Sequence, residues 1–291
     1  MPTTLKAALA LLTATFLYSF FGVLTRIMGF ELPIYYASFT RDVAGALILL
    51  LPLYLSKKWQ KVAKKDWPWL VLRANGGVLG FLGSYYAFYY LPLGTAYFIF
   101  YGGSTIFGFL SGAIFFGEKV SRLEAFSLGI SLLGLILLYS VGGVATDLLK
   151  YVLWAFVGGM GAAIWNTFSK KISGTYSATQ VNGLDFAVFA LLMMILSLIQ
   201  GETWVGPALN FTWLANLLFV IMFVVTGQLM IYGFKHLDAQ KGSLIMLLEV
   251  VFGAIIGLIF YQETLGLGAI VGGLLILLGA ILPQLRSRTQ A

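Results

Sequence analysis

Residues 107–118 read Phe-Gly-Phe-Leu-Ser-Gly-Ala-Ile-Phe-Phe-Gly-Glu, and residues 252–263 read Phe-Gly-Ala-Ile-Ile-Gly-Leu-Ile-Phe-Tyr-Gln-Glu. Phe107, Gly108, Gly112, Phe115 and Glu118 recur as Phe252, Gly253, Gly257, Phe260 and Glu263, and further on Gly134 recurs as Gly279. The offset is a constant 145 residues in a chain of 291. Each copy is an apolar, glycine-containing run closed by a glutamate. A fixed offset of half the chain is the mark of an internal duplication, and the duplicated unit is apolar enough to be a membrane one.

Composition agrees. The chain is 60% hydrophobic and 10% charged, with a mean hydropathy of +0.93. A soluble domain carries about 25% charged residues, so this chain cannot present a solvated surface all round and takes lipid as its solvent. Cysteine is absent, which excludes disulfides and thiolate metal sites. The single histidine, His236, sits beside Lys235 near a predicted helix end and reads as a loop residue rather than a metal ligand. No metal or other cofactor is expected. The net charge of +7 does not point to nucleic acid, because the charges flank apolar spans and follow membrane topology.

A helix needs about 20 residues to cross the hydrocarbon. Predicted spans are 6–26, 33–55, 67–90, 93–116, 122–142, 150–169, 178–199, 212–234, 241–261 and 264–284. The fold expected is therefore an all-α integral membrane protein of ten transmembrane helices, with a first five-helix repeat over 1–145 and a second over 146–291. The first span is too long for a signal peptide and reads as a retained helix. With the amino terminus in the cytoplasm, the inside segments hold Lys6, the loop lysines Lys57, Lys58, Lys61, Lys64 and Lys65, and Lys119, Arg122, Lys170, Lys171, Lys235, Lys241, Arg286 and Arg288. The outside segments hold only Arg26 and Lys150. Fourteen against two puts both termini in the cytoplasm of a multi-pass protein of the cell (inner) membrane. Five is odd, so the second half enters the membrane upside down. An inverted repeat of this kind supports alternating access.

Ionisable residues inside spans cost several kcal/mol unless paired or hydrated. Arg41, Asp42, Arg73, Asp185 and Glu249 lie in such places. Arg73, Asp185 and Glu249 each fall about 9–12 Å in from the same end of their helices at 1.5 Å per residue, so one layer can hold all three. Arg41 and Asp185 are near equivalents under the 145-residue offset, which suggests a structural pair or a gate. For Arg41, Arg73 and Asp185 the plainer reading is charges that hold helices in register. Glu249 interrupts an apolar run, Leu244 to Ile256. It is a candidate to bind a cationic solute group, a proton or Arg73. Glu118 and Glu263 lie at span ends, where a carboxylate satisfies loop N–H groups. Tyr18, Tyr101, Trp165 and Gln228 sit deeper than an interfacial belt and are candidate solute contacts, with interhelical hydrogen bonding as the alternative. Gly76/Gly80, Gly108/Gly112, Gly253/Gly257 and Gly268/Gly272 have small-xxx-small spacing. The last pair makes the tenth helix a face for the fifth helix of the same or a partner chain, as a monomer or a homodimer.

Five plus five helices in under 300 residues resembles the drug/metabolite transporter superfamily, specifically its EamA-type members. The resemblance covers the whole chain. It rests on the helix ends Gly117-Glu118 and Gln262-Glu263, on Arg41 in the second span, Trp165 in the sixth and Leu248-Glu249 in the ninth. The family often has a proline early in helices four and nine, where this chain has Thr105 and Val250, and its first-helix tryptophan is Tyr18 here. The resemblance implies a secondary transporter rather than an enzyme, exporting small metabolites such as amino acids, with lipid, a small-molecule solute and protons as its partners. A carrier of phosphorylated solutes needs several cavity cations and has only Arg41 and Arg73. A membrane-embedded enzyme on lipid-linked substrates needs a nucleophile or an acid–base pair, for which only Asp185 and Glu249 offer themselves.

Overall fold

The computed structural model describes residues 2–28, 31–91, 93–139, 146–262 and 266–288. The described residues form helices and connections only. They are α1 (Thr3–Tyr18), α2 (Phe21–Met28), α3 (Ile34–Leu55), α4 (Trp67–Tyr90), α5 (Leu93–Phe115), α6 (Arg122–Tyr139), α7 (Leu149–Thr167), α8 (Ser169–Ile172), α9 (Ala178–Ile199), α10 (Phe211–His236), α11 (Ala239–Met246), α12 (Leu248–Tyr261) and α13 (Leu267–Arg288). Hydrocarbon offers no partner for backbone N–H and C=O groups, so apolar segments of this length close their hydrogen bonds within themselves. Among the described residues, eight helical segments are long and apolar enough to span a bilayer: 3–25, 34–55, 95–115, 146–172, 178–199, 211–236, 239–260 and 267–285. Their exposed faces carry leucine, isoleucine and phenylalanine, such as Leu47, Ile114, Leu198 and Ile259, as lipid requires. The helices at 67–90 and 122–139 join them in the bundle.

The most extensive helix contacts are α4 with α7, α6 with α13, α3 with α9, α5 with α7, and α1 with α10. A shift of 145 residues exchanges α4/α7 for α10/α1 and maps α3/α9 and α6/α13 onto themselves. It likewise exchanges α5/α7 for α1 against α11 and α12, which also touch. Glycine makes these contacts close. A Cβ at Gly76 would lie 2.8 Å from the Gly161 carbonyl oxygen, and one at Gly134 2.6 Å from that of Gly272. The Gly268/Gly272 face of α13 is therefore filled by α6 of the same chain. Gly108 and Gly112 approach Ser243 and Gln240 of α11. Gly253 has open space beside it, so no close helix contact forms at that glycine.

Left-handed backbone occurs at Lys57, Gly117, Gly201 and Gln262 among the described residues. Lys57 and Gly201 are 144 residues apart, Gly117 and Gln262 145. Lys57 and Gly201 close α3 and α9 with one motif. Lys58 N–H donates to Leu53 O (3.1 Å) and Lys57 N–H to Tyr54 O (3.0 Å); Glu202 N–H donates to Ser197 O (3.0 Å) and Gly201 N–H to Leu198 O (3.1 Å). Each following loop then covers the start of the other helix. Gln60 N–H donates to Gln180 Oε1 (3.1 Å), and Gln180 Nε2 donates to Gln60 O (2.6 Å). At the opposite end Glu202 accepts from Tyr35 N–H (3.1 Å) and Tyr36 N–H (2.7 Å), and Tyr36 Oη donates to Val205 O (2.6 Å).

Candidate functional site

Two helices are interrupted near the middle of the bundle. The first stops at Tyr18 and resumes at Phe21; the ninth span stops at Met246 and resumes at Leu248. Neither break has a proline or glycine in it. The second puts Glu249 in the first turn of α12, where the positive end of a helix dipole favours a carboxylate. Tyr101 of α5 donates its hydroxyl to Glu249 Oε1 at 2.8 Å, and the Tyr101 ring stacks on Tyr97 with centroids 5.7 Å apart. Four residues apart, Tyr97 and Tyr101 share one face of α5. Arg73 does not reach Glu249 by any ion pair among the described residues.

Arg73 of α4 pairs instead with Asp185 of α9. Both are buried, at 0% and 1% exposure, and the Arg73 guanidinium carbon lies 5.2 Å from the Trp165 ring centroid. This corrects the expected pairing of Asp185 with Arg41. Arg41 lies elsewhere, donating to Asn216 Oδ1 (3.3 Å) and Ser38 Oγ (2.8 Å), with Phe219 4.2 Å from its guanidinium carbon. The equivalence under the offset holds in sequence, but each residue finds its partner within its own end of the bundle. Asn216 was not among the expected residues; a lone asparagine in an apolar helix was its only sequence signal.

Phe223 of α10 links the aromatic candidates. Its ring lies 5.6 Å from Trp165 and 6.5 Å from Tyr18. The Tyr18 hydroxyl is buried near Thr226 and within electrostatic reach of both Glu249 and Arg73, yet it makes no hydrogen bond of good geometry. Thr226 sends its own proton to the Phe223 carbonyl at 3.0 Å. Trp165 Nε1, Asn166 Oδ1 and Gln228 Nε2 are likewise buried without a protein hydrogen-bond partner. A buried polar group left without any partner costs about 1–3 kcal/mol, so each of these atoms calls for a water, an ion or a solute group. Three of the predicted solute contacts, Tyr18, Trp165 and Gln228, belong to this set. Tyr101 and Glu249 supply the hydrogen-bonded acid beside it. Nearby, an apolar cleft of about 300 Å³ opens between α1, α11–α12 and α13, lined by Leu5, Leu12, Ile245, Leu248 and Ala280.

Glu118 behaves as a helix-end carboxylate, as expected. Its Oε2 accepts from Ala239 N–H at 2.7 Å, at the start of α11. Its Oε1 accepts from Lys170 Nζ at 2.5 Å, and the same ammonium donates to Leu237 O at 2.6 Å. One acid and one base thus tie the end of α5 to α8 and to the α10–α11 turn. Lys170 was legible only as a topology signal. The counterpart of Glu118, Glu263, lies outside the described residues.

These features define a multi-pass helical membrane protein with a polar, partly unsatisfied centre. The chain belongs to the EamA-like transporter family, whose model matches residues 5–140 and again residues 149–283. It is 24% identical over 269 residues to the pseudopaline exporter CntI of Pseudomonas aeruginosa, covering 92% of each chain. It is 25% identical over 172 residues to an uncharacterized transporter of Archaeoglobus fulgidus, covering 58% of this chain and 60% of that one. A solved crystal structure shares the fold with a TM-score of 0.81 and 20% identity, over 96% of this chain and 98% of the other.

Proposed function

We propose that the chain is a secondary transporter exporting small amphipathic metabolites, amino acids among them, by alternating access of two inverted five-helix halves, 1–145 and 146–291. Ten membrane passes result if the helices at 67–90 and 122–139 join the eight long apolar ones. The two-fold family match, the helix pairs that exchange under the offset and the paired left-handed caps all support the halves. The export direction draws on the name of the Pseudomonas relative. Cysteines placed at the exposed Ser56 and Gln200, at the ends of α3 and α9, are expected to label from opposite sides of the membrane. Labelling from one side ends the inverted reading.

The observation that supports this function most is the Tyr101–Glu249 hydrogen bond with Tyr18 within electrostatic reach of Glu249; Tyr18, Trp165 and Gln228 each add a buried polar atom without a protein partner. Aromatic faces suit an apolar part of the solute, and the carboxylate suits its ammonium group or a coupling proton. A phosphorylated solute fits less well, because Arg73 is committed to Asp185 and Arg41 to Asn216 and Ser38. An acid–base pair of Asp185 with Glu249 for enzyme chemistry fits less well for the same reason. The test is expression in bacterial cells beside an empty vector, with the solutes of the medium profiled. A selective rise in one amino-acid-like metabolite is expected. Selective accumulation of phosphorylated compounds in loaded proteoliposomes, with no amino compound moved, overturns the substrate class.

A further inference from the structure

The loop between α3 and α4 carries Lys57, Lys58, Lys61, Lys64 and Lys65, all exposed. None of them pairs with a carboxylate among the described residues. The loop is held in place: Gln60 is bonded both ways to Gln180, Val62 is buried, and Tyr176 Oη accepts from Ala63 N–H (2.9 Å) while donating to Asp66 Oδ2 (2.7 Å). Between this loop and the start of α9 lies a cleft of about 550 Å³, lined by Lys57, Lys58, Trp59, Gln60, Ser177 and Thr179. The positive end of the α9 dipole faces it. Tyr54, Leu55 and Trp67 flank the loop with exposed apolar surface, so the cleft adjoins the lipid-facing wall.

Lys57 supplies the sharper observation. It sits at φ 55°, in the left-handed region that favours glycine. The same helix-closing motif half a chain away uses Gly201. A lysine tolerated in a glycine position costs the backbone something, and an observed outlier of this kind points to use of the side chain. We infer that Lys57 and Lys58, with the cleft beneath them, form a headgroup site for an anionic phospholipid of the adjoining leaflet. Unpaired lysines immediately beyond a membrane helix attract such lipids. Here they border a fixed recess rather than a loose tail. The acyl chains would lie along the exposed Tyr54–Leu55 surface.

The test uses the full-length purified protein and native mass spectrometry, titrated with phosphatidylglycerol and, separately, with phosphatidylcholine. Wild type is expected to retain phosphatidylglycerol preferentially. Lys57→Gly and Lys58→Gln should each weaken that retention about five-fold, the scale of one lysine near an anionic surface. Lys57→Gly should at the same time leave the Tm in detergent unchanged or raised, because glycine relieves the backbone. Lys64→Gln and Lys65→Gln, away from the cleft, should change retention little. Equal loss in all four variants means diffuse loop charge and overturns the site. Equal retention of the two lipids overturns it as well, as does a fall in Tm for Lys57→Gly. Inorganic phosphate that stabilises wild type as well as phosphatidylglycerol assigns the cleft to a soluble anion, and the lipid proposal fails.

Discussion

Glu249→Gln is expected to reach the membrane in wild-type amount and to lose solute flux by roughly 10- to 100-fold, the scale of a hydrogen bond to a charged partner at about 1.5–3 kcal/mol. The substitution keeps the shape of the side chain. Its amide oxygen can still accept from the Tyr101 hydroxyl, which meets Glu249 Oε1 at 2.8 Å, so the contact between α5 and α12 survives. Charge and the capacity to exchange a proton are what it removes. Tyr101→Phe makes the opposite cut, keeping the carboxylate and removing its donor, and should cost less flux than Glu249→Gln. Normal flux for Glu249→Gln over a range of pH would show that the carboxylate plays no part in binding or coupling. The stated order reverses if Tyr101 itself is the main solute contact.

The position of Glu249 also shows where sequence reading succeeds and where it stops. That the carboxylate inside Leu244–Ile256 needs a polar partner was legible, because charge in hydrocarbon is costly unless paired or hydrated. That the helix breaks one residue before Leu248 was not, since no proline or glycine marks Leu247. Tyr101 could be placed on a face with Tyr97 from helical periodicity, but its meeting with Glu249 spans 148 positions and depends on how α5 and α12 rotate against each other. The same limit applies to Arg73. Depth along the helix put Arg73, Asp185 and Glu249 in one layer, and rotation about the helix axes then chose Asp185 for Arg73 and left Glu249 to Tyr101. Of the left-handed caps, Gly117 was legible, because a glycine after an apolar helix is a visible stop. Lys57 was not, because nothing in a lysine announces a left-handed turn. Gly253 shows the converse error: its spacing matched a packing motif, yet no neighbour lies within reach of a Cβ there.

Breaking the Arg73–Asp185 pair should have the largest effect on stability. Both side chains are withdrawn from solvent and lipid alike, so Asp185→Asn leaves a guanidinium buried with no counter-charge. Removing one member of a buried pair costs about 3–5 kcal/mol, and the variant is expected to show a sharply lowered Tm in detergent and little protein in the membrane. Arg73→Met should do the same from the other side, and it also removes the cation that lies 5.2 Å from Trp165. The double variant Arg73→Met, Asp185→Leu replaces the pair by apolar volume and should recover most of the stability, since such replacements are often neutral or stabilising. Its flux then separates two roles that the geometry joins. Wild-type flux in a stable double variant makes the pair a brace between α4 and α9. A stable double variant without flux means that Arg73 acts on the solute region through Trp165 and Tyr18. If the double variant is no more stable than the single ones, the pair is not what holds α4 to α9, and the close glycine contacts of α4 with α7 become the better account of how that part of the bundle is fixed.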